Sequence, residues 1–170
     1  MHVMDTSSDT SGIVDHTATA RGMVDAMLTA SRALVGISAR SLAAVESDVT
    51  LPQYRALVVL AEHGEQRVSA LAEALEIHPS TATRLCDRLA SKRLVYRAES
   101  PTSRREVAVG LSPTGRALVG SVTRRRRAEI ARIVQRMPVD SRPQLIAALE
   151  AFAGAAGEVP DDAWKLGWSI

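Results

Sequence analysis

Between Pro79 and Lys92 the stretch PSTATRLCDRLASK sets the hydroxyl residues Ser80, Thr81 and Thr83 ahead of two arginines, Arg84 and Arg88. At helical spacing Ala82, Leu85, Cys86 and Leu89 fall at i, i+3, i+4 and i+7 and make an inward face. That arrangement turns Ser80, Thr81, Thr83, Arg84, Asp87, Arg88, Ser91 and Lys92 outward. Small hydroxyl residues in a first turn let the backbone approach a phosphate or a base edge, where free amides and the helix dipole favour an anion. Arg84 and Arg88 stand one turn apart, and an arginine fork takes guanine O6 and N7 together, a contact worth ~1–3 kcal/mol of base discrimination. Lys92, at the end of the same helix, suits a phosphate contact that ignores sequence. A second basic point follows at Arg104 and Arg105, in the tip of a hairpin, where they reach phosphates or an adjacent minor groove. The chemistry these residues support is recognition of double-stranded DNA.

Other residue types point to no reaction. His2, His16, His63, His78 and Cys86 form no CxxC or HxxxH spacing, and His63 beside Glu62 is the nearest approach to a metal pair. Glycine-rich phosphate loops, nucleophile elbows and paired catalytic carboxylates are absent, so the reading is of a non-enzyme without a cofactor. Cys86 lies on the apolar face and reads as a core thiol; its alternative is a redox switch. Arg124 to Arg127 are consecutive on a helix and point in all directions, which makes them surface charge and not one stripe. Tyr54 and Trp164 read as packing residues.

These side chains need elements to hold them. VSALAEALEIHPSTATRLCDRLASKR predicts a short helix from about Ser69 to Leu75, a turn through Glu76 to His78, and a second helix starting near Pro79, which is helix-turn-helix grammar. LVYRAE and EVAVGL alternate as strands around the tip SPTSRR, with Leu94, Tyr96 and Ala98 on one face and Val107, Val109 and Leu111 on one face of the partner. Upstream, Thr50 and Gln53 have capping-box spacing ahead of a buried stripe of Tyr54, Leu57, Val58 and Ala61, and Gly64 is a stop. A long amphipathic helix is expected from about Asp15 to Val45, with Val24, Met27, Leu28, Leu34, Val35 and Leu42 on its stripe. Another runs from Ser112 and Pro113 to about Met137, and a last one from about Ser141, capped with Gln144, to Ala156, with Leu145, Leu149 and Phe152 on one face.

The division that follows has a disordered leader over 1–14, one domain over 15–157 and a tail over 158–170 in which Trp164 is expected to dock. Within the domain, helices over 15–47 and 112–157 join two copies, and 50–111 forms the DNA-binding lobe. Of the 170 residues, 46% are hydrophobic, 24% charged and only 3% aromatic, and Ala, Leu and Val dominate the apolar set. That balance favours a mostly α protein with a small β wing of two or three strands. The formal net charge is only +2, so the placement of the arginines says more than their sum. One cysteine excludes an internal disulfide, and neither a transmembrane run nor a secretory signal is present, which makes the cytoplasm the default location.

Taken in order, VSALAEAL, PSTATRLCDRLASKRLVYR and SRREVAVGLSPTGRAL resemble the MarR (multiple antibiotic resistance regulator) family of winged-helix transcription regulators, over about Asp15 to Ala156. The resemblance implies a homodimer on a palindromic operator, usually as a repressor, released when a small aromatic or phenolic ligand binds between the lobes. Three positions depart from the family pattern: Ser103 stands for Asp before the wing arginine Arg104, Arg93 for Gly after the second helix, and His78 for a Ser cap. A winged helix that has become a protein-interaction module is the competing reading.

Overall fold

A computed structural model describes residues 10–45, 48–100 and 103–158, with side chains outside that description at 10–18 and 99–106. The chain runs α1 (Thr10–Ala43), α2 (Leu51–His63), β1 (Gln66–Arg67), α3 (Val68–Ala74), α4 (Pro79–Ser91), β2 (Val95–Ser100), β3 (Ser103–Leu111), α5 (Pro113–Val134), a 3-10 turn (Val139–Ser141) and α6 (Arg142–Ala155). The fold is mostly α, with one antiparallel sheet in the order β1-β3-β2.

α1 starts at Thr10, so 10–14, expected as leader, has helical backbone. Extending an existing helix adds a hydrogen bond per residue without a new nucleation step, which lets a polar stretch with weak periodicity join it. The expected docking of Trp164 lies outside the described residues.

Local signals set α2 as expected. Thr50 and Gln53 form a reciprocal capping box, and Gly64 ends the helix with φ 79°, a left-handed conformation that favours glycine. Behind this cap lies the core. Leu57, Leu60, Leu71, Leu89, Val109, Val119 and Val122 are fully buried, drawing on α2, α3, α4, β3 and α5. Burying such side chains contributes about 1.5–3 kcal/mol each relative to exposure.

One expectation of detail is sharpened and one is corrected. In the hairpin, Val95 pairs with Leu111 and Arg97 with Val109, so Val95 faces the core while Tyr96 turns outward, 44% exposed. The reason is a close contact across the strands: the Tyr96 ring lies over Gly110, where an added Cβ would stand 2.6 Å from the ring. The Glu65 carboxylate accepts a hydrogen bond from the Tyr96 hydroxyl, which raises the phenol's pKa above its ordinary value. At the start of α6, Ser141 makes no cap hydrogen bond; it sits in the helical region, and its hydroxyl donates to the Pro138 carbonyl at 2.8 Å. Arg142 instead donates to the Met137 carbonyl at 3.2 Å, so the turn after α5 is closed by a side chain from the next helix.

Candidate nucleic-acid interface

α4 is built as its spacing requires. Ala82, Leu85, Cys86 and Leu89 are buried, and Ser80, Thr81, Thr83, Arg84, Asp87, Arg88 and Ser91 are exposed. Its start is capped by His78: Nδ1 accepts from the Ser80 amide at 3.2 Å and lies 2.8 Å from the Ser80 hydroxyl, which requires the ring proton on Nε2. Histidine thus does here what a serine cap would do. Pro79 at the first position loses no hydrogen bond. The preceding turn passes through Glu76 in a left-handed conformation, φ 54°, with the Ile77 amide reaching back to the Ala72 carbonyl.

The end of α4 joins the wing to the long helix behind it. Arg93 is held at φ 58°, and the Leu94 amide bonds the Leu89 carbonyl in the manner of a glycine-terminated helix. A non-glycine residue there costs roughly 1 kcal/mol. Ser112 then links the two ends: its hydroxyl donates to the Arg93 carbonyl at 2.7 Å and accepts from the Gly115 amide at 2.9 Å, capping α5. Gly115 allows that approach, since an added Cβ would meet the Leu94 carbonyl oxygen at 2.0 Å.

The basic residues are not equivalent. Arg84 and Arg88 are exposed and have no acidic partner among the described residues. Thr83 turns its hydroxyl back to the Pro79 carbonyl at 3.0 Å, and Thr81 carries no such internal bond. Lys92 is drawn away from the open face: its ammonium donates to the Asp48 carbonyl and, at 3.2 Å, to Gln53 Oε1, next to the α2 cap. Arg104 and Arg105 lie on β3 beside the hairpin tip, with side chains outside the description. The sequence reading missed Arg97, which comes from β2 to pair with Asp87 at 2.6 Å. Its strand parity with Val109 would have revealed it had the register been known.

Cys86 is fully buried, and burial raises its thiol pKa, with nearby Asp87 acting in the same direction and Arg97 opposing. A buried, protonated thiol is a poor nucleophile and has no access to an oxidant. No group of three or more His, Cys, Asp or Glu residues able to hold a metal occurs among the described residues. Among these residues no helix is long and apolar enough to cross a membrane.

Two short helices meeting at a tight turn, the second exposing hydroxyls and arginines, with a hairpin beside it, define a winged helix-turn-helix protein. Residues 49–107 match the MarR family model. The crystal structure of RV1404 from Mycobacterium tuberculosis superposes with a TM-score of 0.78 at 46% identity, covering 84% of this chain and 97% of that one. The uncharacterized HTH-type transcriptional regulator Mb0904 of Mycobacterium bovis is 32% identical over 67% of this chain and 80% of its own length. The transcriptional repressor MdtR of Bacillus subtilis is 36% identical over 49% of this chain, and the match spans only 54% of that repressor. The chain belongs to the MarR family, whose members are transcription regulators and not enzymes.

Proposed function

We propose that the protein is a homodimeric, sequence-specific DNA-binding regulator that represses from a near-palindromic operator. The observation that carries this reading is the exposed face of α4, where Arg84 and Arg88 project without acidic partners beside a basic hairpin. In this reading Ser80, Thr81 and Thr83 bring the first turn of α4 against the backbone and base edges, and Arg84 and Arg88 read bases. Arg104 and Arg105 hold the flanking phosphates or minor groove. Lys92 acts at the margin, because its ammonium already serves the Asp48 carbonyl and Gln53.

The dimer follows from the helices outside the lobe, 15–47 and 112–157. Met23, Val24, Leu28, Ile146 and Phe152 are more than half exposed in the single chain, and α1 and α6 together line an apolar groove. An apolar surface of this kind is ordinarily covered by a partner, and here the partner is a second copy related by a two-fold axis. Two copies of α4 then enter successive major grooves about 34 Å apart. Repression has the support of the likeness to MdtR, and a cytoplasmic location is part of the same reading, because the DNA it would bind is there. Release by a small aromatic or phenolic ligand is part of the reading; such a ligand must bind two spacings of the lobes with different affinity.

The experiment is selection of genomic fragments on the purified protein, then affinity for the best fragment and for random duplex at two salt concentrations. An inverted repeat bound on the order of 10³-fold above random DNA, with a steep salt slope, is the expected result. A complex indifferent to salt and to DNA sequence would instead favour a protein-interaction module.

A further inference from the structure

We propose that Arg97 is a positioning residue for DNA binding: its guanidinium neutralises Asp87 on the exposed face of α4 and ties the wing to that helix at two points. The proposal rests on the regulator reading above. Asp87 stands in the outward row of α4 between Arg84 and Arg88 and is itself exposed. A carboxylate there faces the same phosphates that the two arginines approach.

Arg97 meets this problem from the neighbouring strand. One of its terminal nitrogens lies 2.6 Å from Asp87 Oδ1 and 3.4 Å from the Thr83 carbonyl oxygen. Thr83 and Asp87 are one helical turn apart, so a single guanidinium bridges a full turn of α4 from β2. In the free protein the pair is open to water and contributes little to stability. Once a duplex covers α4 the water leaves, and an unneutralised carboxylate against phosphates becomes strongly unfavourable. The same pairing removes Arg97 from the set of phosphate ligands, because its charge is already balanced.

The test compares four proteins: parent, Arg97→Gln, Asp87→Asn, and the double variant. Each is checked by thermal unfolding and then titrated with the selected fragment and a mixed-sequence duplex across a salt series. Arg97→Gln should weaken binding to both duplexes about tenfold or more, as expected for a like charge left against the partner. Asp87→Asn should bind at least as tightly as the parent. The double variant should recover most of the lost affinity with the parent's salt slope, a rescue that a purely structural or phosphate-binding role for Arg97 does not produce. Equal weakness of Arg97→Gln and the double variant, with a shallower slope, would make Arg97 a direct phosphate contact and overturn the proposal. So would an Arg97→Gln variant that binds like the parent. If the parent itself shows no salt-dependent binding to any duplex, it is the regulator reading that fails, and this proposal falls with it.

Discussion

The two halves of the molecule manage their apolar surface in opposite ways. In the lobe formed by α2, α3, α4 and the sheet, the apolar face of every helix meets another element of the same chain, and Leu57, Leu71, Leu89 and Val109 have no measurable exposure. In the arm formed by α1 and α6, apolar residues recur at the same helical spacing, yet Val24 and Phe152 are 57% and 54% exposed. Apolar residues at helical spacing occur in both, and only in the lobe are they covered within a single chain. The lobe buries its apolar faces within one chain, whereas the arm leaves an apolar face open, and in the proposed dimer a second copy covers that face and turns one DNA-reading helix into a spaced pair.

The sharpest way to break this comparison is to put a charge on the arm. Phe152→Asp should give a folded monomer by sedimentation and lower operator affinity about a hundredfold or more, since bivalent attachment is lost. In the lobe, Leu89→Ala should cost about 2–5 kcal/mol in chemical denaturation, because the side chain is fully enclosed and its truncation leaves a cavity; its effect should not depend on the dimer interface. Arg84→Ala should leave unfolding unchanged and cost ~1–3 kcal/mol of discrimination, read as the ratio of operator to random-duplex affinity. Equal losses on both duplexes would remove the base-reading role. Arg93→Gly should stabilise the lobe by roughly 1 kcal/mol or less, through relief of the left-handed conformation offset by a looser unfolded chain. The smallest effect is expected at Cys86: a thiol reagent at neutral pH should label it only after denaturation, and peroxide should leave DNA binding unchanged. The pKa shift adds a pH signature of definite sign. A thiol whose folded pKa is raised contributes its full stability below the ordinary thiol range and loses it as pH climbs toward the folded value.

Much of the lobe was legible because its signals are local. The Thr50 and Gln53 box, the Pro79 start, and the stripe of Ala82, Leu85, Cys86 and Leu89 each depend on residues within a turn or two of one another. Where the reading went astray or stopped short, the deciding partner was distant or its geometry was context-bound. Ser141 and Gln144 have the spacing of a cap, but Pro138 and a side chain from the next turn shape that corner. Tyr96 has the composition of a core residue, yet Gly110 on the facing strand gives its ring a place outside.

The candidate site divides along the same line. Which residues of α4 point outward follows from a 3.6-residue period, and the sequence by itself determined that Ser80, Thr81, Thr83, Arg84 and Arg88 share the exposed surface of one helix. What those cations face is a matter of pairing across elements: Lys92 goes to the α2 cap, Arg97 to Asp87, and Arg84 and Arg88 remain open. Only the tertiary structure decided this, because charge is carried at the end of a long side chain, and its neighbours there are set by strand register and helix packing, not by position in the chain.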